Sequence, residues 1–311
     1  MASRQRIATL SLLGIIVIQS LFIIIWYEKL SEQNHPAVNT TSETNNETQL
    51  QQQQTSVVGE GRHQLPLQVV ATTNNRKKNQ FAFIVGTAMH VHKFVNHVAM
   101  NLQIVAEKNF ENKNYHIIIS EEGSPHDWTN TTIPTDKLTV VRTEKNPFRD
   151  RISRLAYARN QYLELVLQRY SEIQNDYDDC YMIVFDLDFS CEIDFETIGK
   201  ALVLREHWDA ISFNIANYWD WYAFEAIDHG SSVSDRTKFL QDLNSLKENE
   251  LLEVTSAFHI AAMYKLPHLM NTKYEYKNGE CEHKGLHKMM KKKHNSMIMV
   301  SPMPLYRFGC I

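Results

Sequence analysis

The stretch Tyr181-Met182-Ile183-Val184-Phe185-Asp186-Leu187-Asp188-Phe189 constrains this chain more than any other. Its five consecutive apolar residues read as a strand buried on both faces, and the run then ends on two carboxylates. An ionised Asp is costly to bury, so an acidic pair closing a core strand needs partners or a metal. Alternation puts Asp186 and Asp188 on one side of the strand and Leu187 on the other. Hard oxygen ligands at one strand terminus suit Mg²⁺ or Mn²⁺ carrying a diphosphate. The plainer alternative is a strand end whose acids simply meet water.

The rest of the folded part repeats the strand and helix theme. Phe81-Ala82-Phe83-Ile84-Val85 forms a buried strand closing on Gly86-Thr87, and Val91, Phe94, Val95, Val98, Leu102 and Val105 follow at helical spacing. His116 to Ser120 and Leu138 to Val141 give two more strands before the Tyr181 strand, the pattern of an α/β sheet. In open α/β sheets ligands collect at the carboxyl ends of strands, where Gly86, Glu121 and Asp186 all fall.

A helix is expected from about Asp150 to Tyr170, with Ile152, Leu155, Ala156, Leu163, Val166, Leu167 and Tyr170 as its apolar face. At about 100° per residue, Arg159 sits in the middle of that face. A guanidinium keeps its charge, so it needs an anionic partner there. Either a carboxylate such as Asp186 or a ligand phosphate meets that need. Arg151 and Arg154 lie on the opposite, solvated side.

Further on, Phe195 to Trp208 reads as helix and Ala210 to Phe213 as strand. Asn217 to Phe224 holds five aromatic side chains in eight residues, either a sugar-stacking platform or plain core. A polar helix from Asp235 to Asn249, a strand from Ser256 to Tyr264, a last helix opening at Cys281 and a strand from Met297 to Val300 complete the expectation.

Residues 7–26 carry no charge and, at about 1.5 Å per residue, match a hydrocarbon layer of roughly 30 Å. Arg4 and Arg6 precede them and Trp26 and Tyr27 follow, which orients the N-terminus to the cytosol. Residues 1–6 then form a cytosolic tail, 7–26 a single-pass type II signal anchor, 27–78 a flexible polar stem and 79–311 a catalytic domain. A cleaved signal peptide is the alternative for the apolar run. Sequons at Asn39, Asn46 and Asn130 fit a lumenal location.

An oxidising lumen also permits the four cysteines to pair. Cys180 and Cys191 flank the expected strand, up to roughly 36 Å apart, whereas a disulfide needs Cα atoms within about 7 Å. That leaves two of the three pairings, and because Cys191 lies three residues after Asp188 while Cys281 directly precedes Glu282, Cys191–Cys281 is favoured, with Cys180–Cys310 as the second bridge. A formal charge of -4 gives no reason to expect nucleic acid as a partner. With 10 glycines there is neither G-x-G-x-x-G nor G-x-x-x-x-G-K-[ST], so neither glycine-rich phosphate cradle is present. His283 and His287 flank Lys284, so the glutamate that a zinc protease needs is missing.

The motifs taken together resemble the lumen-facing D-x-D glycosyltransferases with a GT-A-like fold, and more narrowly the fungal capsule-associated α-mannosyltransferase family. The matching pieces, in order, are Arg151-Ile152-x-x-Leu155-Ala156-x-x-Arg159-Asn160, Phe185 to Phe189 and Tyr218 to Ala223. Ser256-Ala257-Phe258 and Cys281-Glu282 with Val300-x-Pro302 follow. That family has a glycine where Ile260 stands, and His283 and His287 also differ from its usual residues.

The resemblance implies a single mixed, mostly parallel sheet flanked by helices. It implies a nucleotide-sugar donor held through its diphosphate by Mn²⁺ or Mg²⁺, and transfer of a sugar to a glycan or glycoconjugate acceptor, as in a Golgi hexosyltransferase. Asp186 and Asp188, with His283, would hold the metal. Arg159, Asn160, Gly86 and Thr87 would line the donor site, and Trp219, Asp220, Trp221 and Ser256 the acceptor site. Glu282 is the candidate carboxylate near the acceptor, with Asp186, for the catalytic step. A catalytically inert sugar-binding or scaffold protein on the same fold is the alternative from another class.

Overall fold

The computed structural model describes residues 67–68, 79–89, 91, 94–123, 126–187, 192–215, 220–227, 233–277 and 279–306. The expected anchor, the stem apart from two residues, and Asp188, Cys191, Trp219 and Cys310 lie outside the described residues. Among those described, no helix is long and apolar enough to cross a membrane.

The strands are β1 (Leu67–Gln68), β2 (Gln80–Ala88), β3 (Tyr115–Glu122), β4 (Leu138–Thr143), β5 (Asp179–Asp186), β6 (Ala210–Asn214), β7 (Glu250–Val254), β8 (Ala261–Lys265) and β9 (Ile298–Pro304). The helices are α1 (Val95–Asn109), α2 (Arg151–Ile173), α3 (Phe195–Val203), α4 (Val233–Ser245) and α5 (Glu282–His294). All strands join one sheet in the order β1-β7-β9-β6-β8-β5-β2-β3-β4.

Strand alternation builds a core on each face. Tyr181, Ile183 and Phe185 of β5 point with Ile84 and Ile117 toward Val98, Leu102 and Val105 of α1 and Ile198 of α3. Met182 and Val184 point the other way, with Val85 and Ile118, toward Tyr162, Leu163 and Val166 of α2 and Leu286 and Met290 of α5. The apolar spacing of α2 is what buries it there, and Asp150 starts it by accepting from the Ser153 amide at 2.8 Å.

The sheet is α/β and mixed as expected, but it is not mostly parallel. The pairings of β2 with β3, β2 with β5, β3 with β4 and β6 with β9 are parallel; the other four are antiparallel. The parallel block β4-β3-β2-β5 ends where β8 runs against β5. A strand buried on both faces carries the same apolar run in either direction, so the sequence hides this reversal.

Other expectations shift in detail. The Ser256–Tyr264 strand is a loop up to Ile260, with only Ala261–Lys265 in the sheet. The helix expected to reach Trp208 stops at Val203, followed by a 3₁₀ turn at Arg205–His207. The polar helix ends at Ser245, and the unforeseen β7 follows it.

One feature of the order positions the site. From β2 the chain moves outward through β3 and β4, and then returns to place β5 on the other side of β2. The gap between the carboxyl ends of β2 and β5 is therefore a topological switch point, where connections diverge and leave a crevice. Thr87 and Asp186 face each other in register there.

Candidate functional site

Asp186 follows Met182 and Val184 in the alternation, so its side chain turns toward α2 and α5. There Arg159 Nη2 donates to Asp186 Oδ1 at 2.6 Å, and Arg159 Nη1 donates to Glu282 Oε1. The guanidinium is 3% exposed and lies over the rings of Phe258 and Tyr274, at 5.1 and 5.9 Å from their centroids. Burial opposes its charge, yet Asp186 leads the neighbours that hold it fully ionised. The carboxylate partner expected for Arg159 is present, and Glu282 is a second one.

The two carboxylates differ in access. Glu282 is buried, with its second oxygen 3.4 Å from the Cys281 thiol. It is thus a counter-ion beneath the site rather than the open acceptor carboxylate expected from the sequence. Asp186 has 28% of its side chain exposed at the end of β5.

Asp220 stands close by. Its carboxylate accepts from the amides of Tyr222 (2.9 Å) and Ala223 (3.4 Å). Burial pushes its carboxyl above the usual range, with the nearby Asp186 charge adding to the shift and those amides opposing it. The Asp220 amide donates to Nδ1 of the fully buried His259 at 2.9 Å.

The loop from Ser256 to Ile260 fastens these parts together. Ile260 has φ +64°, a conformation that costs a β-branched residue of order 1–3 kcal/mol. Its carbonyl accepts from the Asp186 amide at 2.8 Å, which fixes the end of β5. The glycine that the resembled family has at this position would adopt that backbone freely.

Several expected site residues are structural instead. Gly86 is bare because an added Cβ would lie 2.5 Å from Leu187 Cγ and 2.6 Å from the Phe185 carbonyl, so strand packing alone requires a glycine there. Gly86→Ala should cost about 1–3 kcal/mol of stability, since a backbone carbonyl cannot yield. A melting temperature within a degree of wild type would contradict this. The Thr87 carbonyl receives the Leu187 amide at 3.3 Å, part of the same strand end. Asn160 uses both ends of its amide on the Tyr274 backbone, at 2.9 and 2.8 Å, so it clamps the loop before α5. Trp221 is partly buried and packs edge-on against Phe224 and Phe239 at the margin of the core, with Arg236 over its ring.

Ser256 is fully buried and donates to the Ala223 carbonyl at 2.8 Å, beyond reach of a sugar. It heads a polar chain: His287 Nδ1 lies 2.9 Å from Ser256 Oγ, and Tyr264 Oη is 3.2 Å from His287 Nε2 and 3.5 Å from His283 Nδ1. His283 stacks on Phe258 with centroids 3.6 Å apart. It sits in this core layer, and no group of three metal-binding side chains occurs among the described residues.

Burial first, and then Lys291, pushes His287 down to about 3, while burial, Arg159 and His287 hold His283 well below its usual value. Both folded-state values lie below that of an unfolded histidine, so the stability they contribute is present above about pH 6.5 and lost as pH falls toward the folded values. Between pH 6.5 and 5 each forfeits up to about 2 kcal/mol. His287→Asn, which retains a donor toward Ser256, should flatten that acid slope in denaturant titrations. An unchanged slope would contradict the assignment.

Elsewhere, Glu121 at the end of β3 is buried and saturated. The His126 amide (2.7 Å), the His126 ring, Trp128 Nε1 (3.1 Å) and Arg142 Nε (3.0 Å) all donate to it. Burial works against its ionisation, but these donors outweigh it and hold the carboxyl below the usual range. Arg154, expected to be solvated, donates to Glu122 Oε1 through Nε (2.9 Å) and Nη2 (2.7 Å). Cys180 and Cys281 are free, buried thiols, and the cysteines favoured as their partners, Cys191 and Cys310, lie outside the described residues. Burial pushes the two thiols up to about 12 and about 11, so they stay protonated. Asn130 is exposed, with its amide donating to Asp127 at 2.5 Å.

Sequence reasoning named Arg159, Asp186, Asp220 and Glu282, and the structure brings these four together. It missed His259 and Tyr274, whose only signals were position inside motif-bearing loops. No family model matches the sequence, and no curated protein matches it. Among solved structures the chain is similar to S. aureus TarS 1-349, with TM-score 0.41 and 13% identity over 73% of this chain and 59% of that one. A STIV protein gives 0.36 and 11% over 73% and 83%. The galactosyltransferase LgtC in complex with donor and acceptor sugar analogs gives 0.29 and 11% over 59% and 58%. The chain thus matches less than two thirds of the TarS and LgtC structures, and at these TM-scores the likenesses carry no weight for function.

Proposed function

We propose that this chain is a membrane-anchored glycosyltransferase of the secretory pathway, moving a sugar from a nucleotide-sugar to a glycan or glycoconjugate in the Golgi lumen. The observation that carries the reading is Asp186, a half-open carboxylate at the switch point between β2 and β5, braced from below by a buried arginine. Residues 7–26 would be the anchor, with the sequon at the exposed Asn130 facing the lumen.

A Mn²⁺ or Mg²⁺ ion fits this donor set, because such ions take one or two carboxylates and complete their shell with phosphates and water. Asp186, with Asp188, would hold it, and bound there it would offset charge on the leaving diphosphate. Arg159 holds the Asp186 carboxylate in orientation through its 2.6 Å hydrogen bond. Asp220, whose raised affinity for a proton suits a base, would take the proton of the acceptor hydroxyl. Glu282 balances Arg159 and leaves Asp186 free for the ligand.

Incubating the full chain with a panel of UDP- and GDP-sugars and a mixed glycan pool tests this. Release of nucleoside diphosphate in Mn²⁺ but not in EDTA is expected; no release from any donor would contradict it.

A further inference from the structure

Ser256 to Ile260 lead into β8, and each of these residues is fastened by a contact of its own. Ser256 pairs with Glu225 through both backbone groups, at 2.9 and 3.0 Å, while its hydroxyl holds the Ala223 carbonyl. The Ala257 carbonyl accepts from Ser212 Oγ of β6 at 2.6 Å. The Phe258 ring packs on Arg159 and His283. The last two residues hold the candidate acids. His259 Nδ1 accepts the Asp220 amide at 2.9 Å, and the Ile260 carbonyl accepts the Asp186 amide at 2.8 Å.

A single peptide bond therefore joins the residues that hold the backbones of Asp220 and Asp186. Ile260, at φ +64°, keeps a conformation that a β-branched residue holds only where its surroundings over-determine it. They do so here: the ladder from Phe185 opposite Ala261 fixes one side, and the Ser256–Glu225 bridge fixes the other. Held in that state, the Ile260 carbonyl and the His259 ring keep one relative direction. The strained residue acts as a spacer between the two acids.

The chemistry of His259 is equally restricted. A ring nitrogen that accepts an amide N–H carries no proton, so Nδ1 is bare and a neutral ring keeps its hydrogen on Nε2. The ring is fully buried, which shields the bond from competition by water. That bond anchors the start of the turn whose Tyr222 and Ala223 amides bind the Asp220 carboxylate. Displacing the Asp220 amide displaces the carboxylate with it.

We propose that His259 is a positioning residue, which together with the strained Ile260 backbone sets the Asp220 carboxylate against Asp186. This deepens the transfer reaction proposed above and rests on it, and the test separates the two.

NMR of the full chain labelled with ¹⁵N-histidine would read the His259 ring, and hydrogen exchange of peptides containing Asp220 would follow its amide. In parallel, nucleotide release from the donor that wild type uses would give kcat and KM. Nδ1 should show the shift of an unprotonated acceptor. His259→Leu, which suits a buried site, should speed exchange of the Asp220 amide about tenfold or more. It should lower kcat about 100-fold, with KM for the donor changed by less than about twofold. His259→Asn, whose carboxamide oxygen can stand where Nδ1 does, should restore most of both. A folded His259→Leu variant with wild-type kcat or wild-type exchange would overturn the proposal, whatever its melting temperature. A protonated Nδ1 in wild type would overturn it without any variant, which guards against a leucine variant that fails to fold. The expected ring shift and exchange in a chain that releases no nucleotide from any donor would leave the clamp standing and remove the transfer reaction.

Discussion

Arg159→Met should destabilise the protein by about 3–5 kcal/mol, because it strands a buried carboxylate. By its position on the apolar face of α2, Met fits that site well, and with a single exposed partner the change would be nearly neutral. The second partner decides the outcome. Asp186, with 28% of its side chain exposed, can turn to water, but Glu282 at 2% would be left, among the described residues, with the Cys281 thiol alone. A loss of that size lowers the melting temperature by roughly 10 °C for a domain of this length. Adding Glu282→Gln removes the stranded charge and should recover more than half of the loss. Equal instability in the single and double variants would show that Arg159 acts through packing on Phe258 and Tyr274 instead.

Asp186→Asn separates function from stability. The substitution keeps shape and leaves Arg159 paired with Glu282, so melting should move by only a few degrees. Sugar transfer should fall about 100- to 1,000-fold, the scale for removing one group that stabilises developing charge. If transfer survives while stability collapses, Asp186 is a structural counter-ion and the site lies elsewhere.

Much of this was legible because it is local. The apolar run before Asp186 and the helical spacing around Arg159 each specify which way a side chain points. The identity of partners was not legible, because it is set by contacts far apart in sequence. Arg159 and Glu282 are 123 residues apart, and nothing near either one records that they meet. Ser256, Asn160 and His283 carry polar groups in motif positions, which reads the same whether they face a ligand or satisfy a buried backbone. Gly86 likewise gives no sign that its missing side chain makes room for Leu187. Strand direction at β8 and the strained Ile260 turn before it were hidden for the same reason: both depend on what lies beside them in space.

The central claim is that Asp186 marks a cation-dependent nucleotide site at the switch point. Isothermal titration of UDP and GDP into the full chain, with Mn²⁺ and with EDTA, tests it directly on wild type and Asp186→Asn. One nucleotide should bind wild type only when Mn²⁺ is present, and the variant at least tenfold more weakly. Equal affinity in the two proteins, or binding indifferent to Mn²⁺, would contradict it.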